Sequence, residues 1–320
     1  MIGVLGAGAF GTGLAISLAR DGQAVTLWAR NPEHADAMRT NGENTARLPG
    51  VSFPRDLGVT SDIAELSGAR IVLLAVPTQT LARVLQEFAD QLAGKSLVAA
   101  CKGIDLTTGL GPTATIAQLV PSATPAILSG PSFAVDIAAG LPTALTLAAA
   151  SAETATALQS SLSTANLRLY RSTDMAGVEV GGALKNVIAI ACGIAMGAGL
   201  GESARAALMT RGYAEMVRFA VARGARAETL AGLSGFGDLA LTCTCEKSRN
   251  YAYGLQLGLA GQATTTATTE GIATARAVAA LAGRQKLEMP ITATMAQVLE
   301  GEIAVGDAVA ALMARPLRPE

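Results

Sequence analysis

The chain has 320 residues, a net charge of -1 and a pI near 6.0, so no basic field argues for nucleic acid or an anionic membrane surface as partner. Half of the residues are hydrophobic and mean hydropathy is +0.40, but most of that excess is alanine. The longest apolar run, Val187–Leu200, is interrupted by Gly193, Gly197 and Gly199 and falls short of the roughly 20 apolar residues of a membrane span. One histidine cannot build a His-rich zinc site, and Cys243 and Cys245 stand two apart, too close for a Cys-x-x-Cys metal pair, so no metal is expected. Cysteine usage and the lack of a basic stretch or cleavage site after Met1 lead us to expect no signal peptide and a cytoplasmic protein.

Taken in chain order, Ile2–Leu5 reads as a short strand, followed by Gly6-Ala-Gly8-Ala-Phe-Gly11-Thr-Gly13 and a helix over Leu14–Arg20. A second strand, Ala24–Trp28, follows the turn at Asp21-Gly22. This is a βαβ unit with G-x-G-x-x-G at its first strand–helix turn, the pattern that binds dinucleotides. Gly6 permits the tight turn, Gly8 lets backbone approach a pyrophosphate, and Gly11 lets helix and strand pack closely. The helix start presents free N–H groups to the phosphates. Where NAD sites carry an acidic residue for the ribose 2′-hydroxyl, this chain has Trp28-Ala-Arg30-Asn31. Arg30 suits a 2′-phosphate or stacks on adenine, so NAD or NADP is expected with NADPH favoured; the alternative is an exposed arginine at a helix start. His34 is read as a solvated residue of that helix start, which leaves any proton transfer to another side chain.

Alternation continues with strand Arg70–Val76, closed by Pro77-Thr-Gln, and a helix from Thr80 to Leu92. Strand Ser96–Ala100 leads into Cys101-Lys102, and strand Ala126–Leu128 into Ser129-Gly130-Pro-Ser132. Strands over Thr143–Ala148 and Leu167–Tyr170 complete the half. Strands separated by helical stretches predict an α/β, doubly wound Rossmann-type sheet, mostly parallel, over residues 1–173. Ligands bind beyond the carboxyl ends of such strands, where Pro77, Lys102 and Gly130–Ser132 stand. Lys102 is either a ligand contact or an ordinary loop lysine.

Past Ser172 strand signals stop, and residues 174–320 predict an all-helical substrate-binding domain. Helices are expected over Asp174–Gly193, Glu202–Arg223, Ala227–Leu233, Arg249–Leu259, Glu270–Ala282, Ile291–Gly301 and Ala304–Arg315. Gly261–Thr269 is the nearest thing to low complexity. In the first of these helices Val180, Leu184, Val187, Ala191 and Ile194 mark a buried stripe, yet Lys185 sits inside it after Gly181 and Gly182. A lysine there either snorkels to water or serves a site, and lysine is suited to proton transfer because burial lowers its pKa readily. The two glycines are expected to leave room for ligand beside the helix. Gly235-Phe-Gly-Asp238 delivers one carboxylate, either to a site or as an N-cap. Ser248-Arg249-Asn250 joins a guanidinium to a helix N-terminus, which is either a seat for phosphate or a cap with a solvated arginine.

These residues recur as motifs in one order: Gly6–Ala15, Lys102-Gly-Ile104, Ser129–Ala134, Gly140–Ala144, Leu184–Ala189, Thr210–Glu215, Gly235–Cys243, Ser248–Asn250 and Glu270-Gly271. In them the chain resembles, over its whole length, the bacterial NAD(P)-dependent glycerol-3-phosphate dehydrogenases. The resemblance implies an oxidoreductase that interconverts sn-glycerol 3-phosphate and dihydroxyacetone phosphate by hydride transfer and supplies glycerophospholipid synthesis. It implies Lys185 as general acid and base. It implies substrate contacts at Lys102, Gly130, Ser132, Lys185, Asp238, Ser248, Arg249 and Asn250. Cofactor contacts implied are Gly6, Gly8, Ala9, Phe10, Gly11, Arg30, Lys102, Ala134, Arg249 and Glu270. Thr78-Gln79 stands where Ser-His is frequent, and Ala9-Phe10 where Ser-Trp is. The expected partners are a small phosphorylated substrate and a second copy in a homodimer. Rival readings are a lysine-dependent reductase of the ketopantoate or β-hydroxyacid type, which needs no phosphate seat, and a non-catalytic dinucleotide sensor, which would not need Lys185 or Asp238.

Overall fold

A computed structural model describes residues 1–262 and 269–314. Most of the Gly261–Thr269 stretch, and the expected helix end at Arg315, lie outside the described residues. The chain divides into two compact units: Met1–Lys102 with Leu110–Glu179, and Gly103–Gly109 with the chain from Val180 onward.

The first unit runs β1 (Ile2–Leu5), α1 (Ala9–Arg20), β2 (Val25–Trp28), α2 (Pro32–Asn41), β3 (Glu43–Asn44), β4 (Leu48–Ser52), β5 (Leu57–Thr60), β6 (Ile71–Leu74), α3 (Thr78–Glu87), α4 (Ala89–Leu92) and β7 (Ser96–Ala99). After the excursion at Gly103–Gly109 come α5 (Pro112–Leu119), β8 (Thr124–Ser129), α6 (Ala134–Ala138), β9 (Thr143–Ala149), α7 (Ala152–Leu162) and β10 (Leu167–Ser172). Eight strands form one sheet in the order β10-β9-β8-β7-β6-β1-β2-β5, while β3 and β4 pair separately. Within β5-β2-β1-β6-β7-β8 every neighbour is parallel and the order reverses beside β1, as in a doubly wound dinucleotide fold. The one antiparallel pair of the sheet is β8 with β9, in the register Ser129↔Thr146; β10 is again parallel to β9.

The strands read as continuous apolar runs because both faces are buried. Val4, Leu27, Leu73 and Val98 pack on one side with Leu14 and Leu18 of α1. Leu5, Val72, Leu74 and Leu97 pack on the other with Leu81 and Leu85 of α3. Each such side chain contributes roughly 1.5–3 kcal/mol on full burial. The expected strands all form, with ends shifted by a few residues. Strands β3, β4 and β5 go beyond the sequence expectation, since Leu48-Pro-Gly-Val-Ser52 and Leu57-Gly-Val-Thr60 carry the proline and glycine that weaken a strand signal. The expected helix Thr80–Leu92 is two helices, interrupted at Phe88, whose backbone leaves the helical region to set its ring edge-on to Trp28 at 5.4 Å.

The second unit takes most of α8 (Met175–Gly197) and then α9 (Gly201–Ala222), α10 (Ala227–Leu230), α11 (Asp238–Cys243), α12 (Arg249–Ala260), α13 (Glu270–Gln285), α14 (Pro290–Glu300) and α15 (Val305–Met313). Helix α8 has the length and composition to cross a membrane, with a window hydropathy of 1.6, but 89% of that window is buried inside the protein. Its apolar side chains Val187, Ile190 and Ile194 pack with Leu257, Ala275, Ile291 and Met295 in the core of this unit. Gly193 and Gly197 on α8 face the backbone of α12, and Gly254 and Gly258 on α12 face the backbone of α8. A β-carbon at any of the four would collide with main-chain oxygen, so the two helices cross at backbone contact. Glu215, in α9 and 3% exposed, accepts from the N–H groups of Ile291 and Thr292 and from the Thr292 hydroxyl, which caps the start of α14 from a distance.

Candidate active site

The glycine turn leaves β1 at the point where the strand order reverses. Gly6 holds φ +120°, and a β-carbon there would lie 2.6 Å from the Ala75 carbonyl oxygen. Gly11 admits the Gly6 carbonyl against α1, and Gly13 admits the carbonyl of Ala134 at the start of α6. Gly8 differs: it is exposed, and nothing lies within 4 Å of where its β-carbon would be. It is also the N-cap of α1, with no side-chain cap and no acidic residue in the first turn. Close packing at Gly6 and Gly11 and open space at Gly8, beside uncapped helix N–H groups, fit a pyrophosphate. Ala9 and Phe10 form the half-buried first positions of that helix. Helix α1 begins there, five residues before the expected Leu14, because packing at Gly11 and Gly13 overrides glycine's poor helix propensity.

Arg30 is exposed just beyond β2, and Asn31 caps α2 by accepting from Glu33 N–H at 2.8 Å and His34 N–H at 3.3 Å. His34 is not simply solvated as expected: it is half-buried, and its Nε2 bonds Asn44 Oδ1 at 2.9 Å.

At the carboxyl ends of β7 and β8 a second cluster forms. Gly130 adopts φ +147° against Leu145, and its carbonyl accepts from Lys102 Nζ and from Ser132 Oγ, each at 3.2 Å. The sheet thereby gathers Lys102, Gly130 and Ser132. On the same edge, Thr78 Oγ1 and Ser129 Oγ are buried without a hydrogen-bond partner. An unsatisfied buried hydroxyl costs about 1–3 kcal/mol, a burden that functional edges tolerate more often than cores.

In the second unit Lys185 is 7% exposed. Its Nζ donates to Asp238 Oδ1 at 2.5 Å and to Thr242 Oγ1 at 2.8 Å. Asp238 and Thr242 are a turn apart on α11, and the Thr242 hydroxyl donates back to Asp238 at 3.3 Å. Helix α11 is aimed by the preceding wide turn Leu233–Gly237, which presses onto α8 at Gly181. Gly181 therefore does not leave room for ligand, as the sequence led us to expect; a β-carbon there would stand 3.0 Å from the Ser234 carbonyl carbon. Sequence reasoning misses Thr242 as a site residue, although its spacing of four from Asp238 is a helical-face signal. Burial, with the neighbouring Cys192 thiol, pushes the Cys243 thiol well above its ordinary range, so it stays uncharged beside Lys185.

Ser248 caps α12, its Oγ accepting from Tyr251 N–H at 3.3 Å. Arg249 is exposed at the first helical position. Asn250 is buried, and its Oδ1 accepts from Gly271 N–H at 3.0 Å, which docks the Glu270-Gly271 start of α13 onto α12. A side chain at Gly271 would meet Asn250 Oδ1 and Ile190 at 2.7 Å and the Asn186 carbonyl at 2.8 Å. The starts of α12 and α13 thus converge on the stretch of α8 that begins next to Lys185.

A doubly wound sheet with a dinucleotide turn at its switch point, and a helical unit carrying a buried lysine, define the class of nicotinamide-dependent dehydrogenases. Family comparison agrees: the model for the NAD-dependent glycerol-3-phosphate dehydrogenase N-terminus matches residues 1–155 and that for the C-terminus matches residues 174–310. A glycerol-3-phosphate dehydrogenase (NAD(P)+) of Ruegeria sp. (strain TM1040) is 60% identical over 319 residues, covering 100% of this chain and 99% of the relative. One of Cereibacter sphaeroides is 56% identical over 321 residues, covering 100% of both. The crystal structure of glycerol-3-phosphate dehydrogenase from Coxiella burnetii superposes with a TM-score of 0.92 at 37% identity over 98% of each chain. A ketopantoate reductase from Ralstonia eutropha, at 16% identity and a TM-score of 0.60, shares the fold alone. The chain belongs to the NAD-dependent glycerol-3-phosphate dehydrogenase family.

Proposed function

We propose that the chain interconverts dihydroxyacetone phosphate and sn-glycerol 3-phosphate with NAD(P), and that Lys185 carries the proton. The observation that supports this most is the buried Lys185 ammonium fixed between Asp238 and Thr242. Bound dinucleotide supplies hydride to C2 of the ketone, or accepts it from the alcohol. Lys185 as ammonium gives a proton to the C2 oxygen as it becomes an alkoxide, and as free amine takes that proton back. Asp238 and Thr242 hold Nζ in one position. Lys102 lends a second ammonium to substrate binding, with Gly130 and Ser132 beside it at the carboxyl ends of β7 and β8. Arg249 and the amide of Asn250 hold the substrate phosphate, with Ser248 keeping the helix start in place. The backbone of Gly6, Gly8, Ala9, Phe10 and Gly11 holds the pyrophosphate, and Arg30 favours the 2′-phosphate of NADPH. Ala134, Lys102, Arg249 and Glu270 complete the cofactor contacts.

On this reading residues 1–173 bind the dinucleotide and residues 174–320 bind the substrate. The product feeds glycerophospholipid synthesis in the cytoplasm, a setting in keeping with the sparse cysteines of the sequence. The assembly is a homodimer, which sedimentation tests directly: a species of 32.2 kDa alone overturns it. The reaction itself is tested by initial rates of dihydroxyacetone phosphate reduction with NADH and NADPH side by side. We expect turnover with both and the lower KM for NADPH. No turnover with either contradicts the proposal.

A further inference from the structure

We infer that Asn44 is a positioning residue for dinucleotide binding, which clamps the glycine turn from the β3–β4 hairpin. The inference rests on the dinucleotide reading of that turn. Asn44 is fully buried. Its Nδ2 donates to the Ala7 carbonyl at 3.0 Å and to Thr12 Oγ1 at 2.8 Å. Its Oδ1 accepts from Arg47 N–H at 3.2 Å and bonds His34 Nε2 at 2.9 Å. Both amide hydrogens and both lone pairs of the carbonyl oxygen are therefore engaged, and His34 Nε2 must carry the hydrogen of its bond.

The two bonds made by Nδ2 fall on either side of Gly8. Ala7 lies between Gly6 and Gly8, and Thr12 lies one turn into α1, where its own N–H closes on the Gly8 carbonyl at 2.9 Å. Gly8 has open space where a side chain would stand, and glycine loses more backbone freedom on ordering than any other residue. A turn already fixed on both flanks binds pyrophosphate without meeting that ordering cost at the moment of binding. Only a planar amide can do this at position 44. A carboxylate there would set an oxygen against the Ala7 carbonyl, and an aliphatic side chain would leave that carbonyl, the Thr12 hydroxyl and His34 Nε2 without it. The chain's single histidine, idle in the chemistry, is the anchor that ties this amide to α2.

The test is NADH affinity by fluorescence titration, with steady-state kinetics alongside, for wild type, Asn44→Ala, Asn44→Asp and Thr12→Val. The Asn44 variants should raise the NADH Kd about ten-fold and its KM in step, the scale of one or two lost hydrogen bonds. With NADH saturating, kcat and the KM for dihydroxyacetone phosphate should stay within about two-fold of wild type, a split that general loosening of the fold would not give. Thr12→Val, which removes one acceptor of the clamp, should raise Kd about three-fold and serves if the Asn44 variants fail to fold. Wild-type NADH affinity in folded Asn44 variants, or in Thr12→Val when it alone folds, overturns the inference. So does an equal rise in the KM for both substrates. Failure of the wild-type protein to bind NADH at all overturns instead the dinucleotide reading beneath it.

Discussion

Lys185 is the residue on which the proposed chemistry turns, and its neighbours explain how an ammonium persists where only 7% of its residue surface is exposed. Desolvating a charge is costly, and a buried pair persists when further hydrogen bonds satisfy its members. Here the Asp238 carboxylate supplies the counter-charge and Thr242 both accepts from Lys185 and donates to Asp238. Thr242→Val keeps the volume and removes both bonds. We expect kcat to fall by a factor of about 3–10 with little change in KM, the size of one net hydrogen bond. An unchanged kcat would show that Asp238 alone positions the lysine. Lys185 and Asp238 were legible in the sequence because a charge inside an apolar stripe and a carboxylate after glycines stand out. Thr242 was not, since a threonine one turn along a short helix looks like any other. Asn44 was equally hidden, for its role depends on a hairpin that the proline and glycine of β4 masked.

Among the elements, the crossing of α8 and α12 connects Lys185 to the Ser248–Asn250 helix start. Sequence periodicity finds both helices, yet it does not mark their glycines as contacts, because helix propensity reflects the backbone freedom a glycine gives up and is blind to the close approach it permits. In the structure Gly254 is where the Ile190 carbonyl lies against α12. Gly254→Ala should therefore destabilise by about 1–3 kcal/mol through overpacking, in spite of alanine's better propensity. Thermal unfolding checks this, and a variant as stable as wild type or more so would contradict backbone contact at the crossing. Glu215 shows the same limit from the polar side. A glutamate in a long helix reads as surface, but this one caps α14, and burial raises its carboxyl above the ordinary 4.5, against the lowering effect of its Ile291 and Thr292 hydrogen bonds and of Arg218. Since the folded state holds that proton more tightly than the unfolded, its contribution to stability is complete below pH 4.5 and is lost as pH rises through the folded value. The difference in Tm between wild type and Glu215→Gln should accordingly shrink from pH 4.5 upward. A difference that grows with pH would mean that the hydrogen bonds outweigh burial.

At the scale of the whole molecule, the strands and the position of the glycine turn were legible because a doubly wound sheet buries both faces and writes its strands as unbroken apolar runs. The antiparallel β9 and the small β3–β4 hairpin were not, since pairing direction and edge strands leave no periodic trace. The segment Gly103–Gly109 belonging to the helical unit was likewise invisible, because contacts distant in sequence decide it. We propose that a dinucleotide-binding fold and a phosphate seat serve proton transfer at Lys185. Lys185→Met tests it most directly, measured as kcat for dihydroxyacetone phosphate reduction beside NADH affinity in the same preparation. We predict that kcat falls by about 10²–10⁴, the contribution typical of a general acid, while the NADH Kd stays within about two-fold. Wild-type turnover in a folded, NADH-binding Lys185→Met protein would contradict the account.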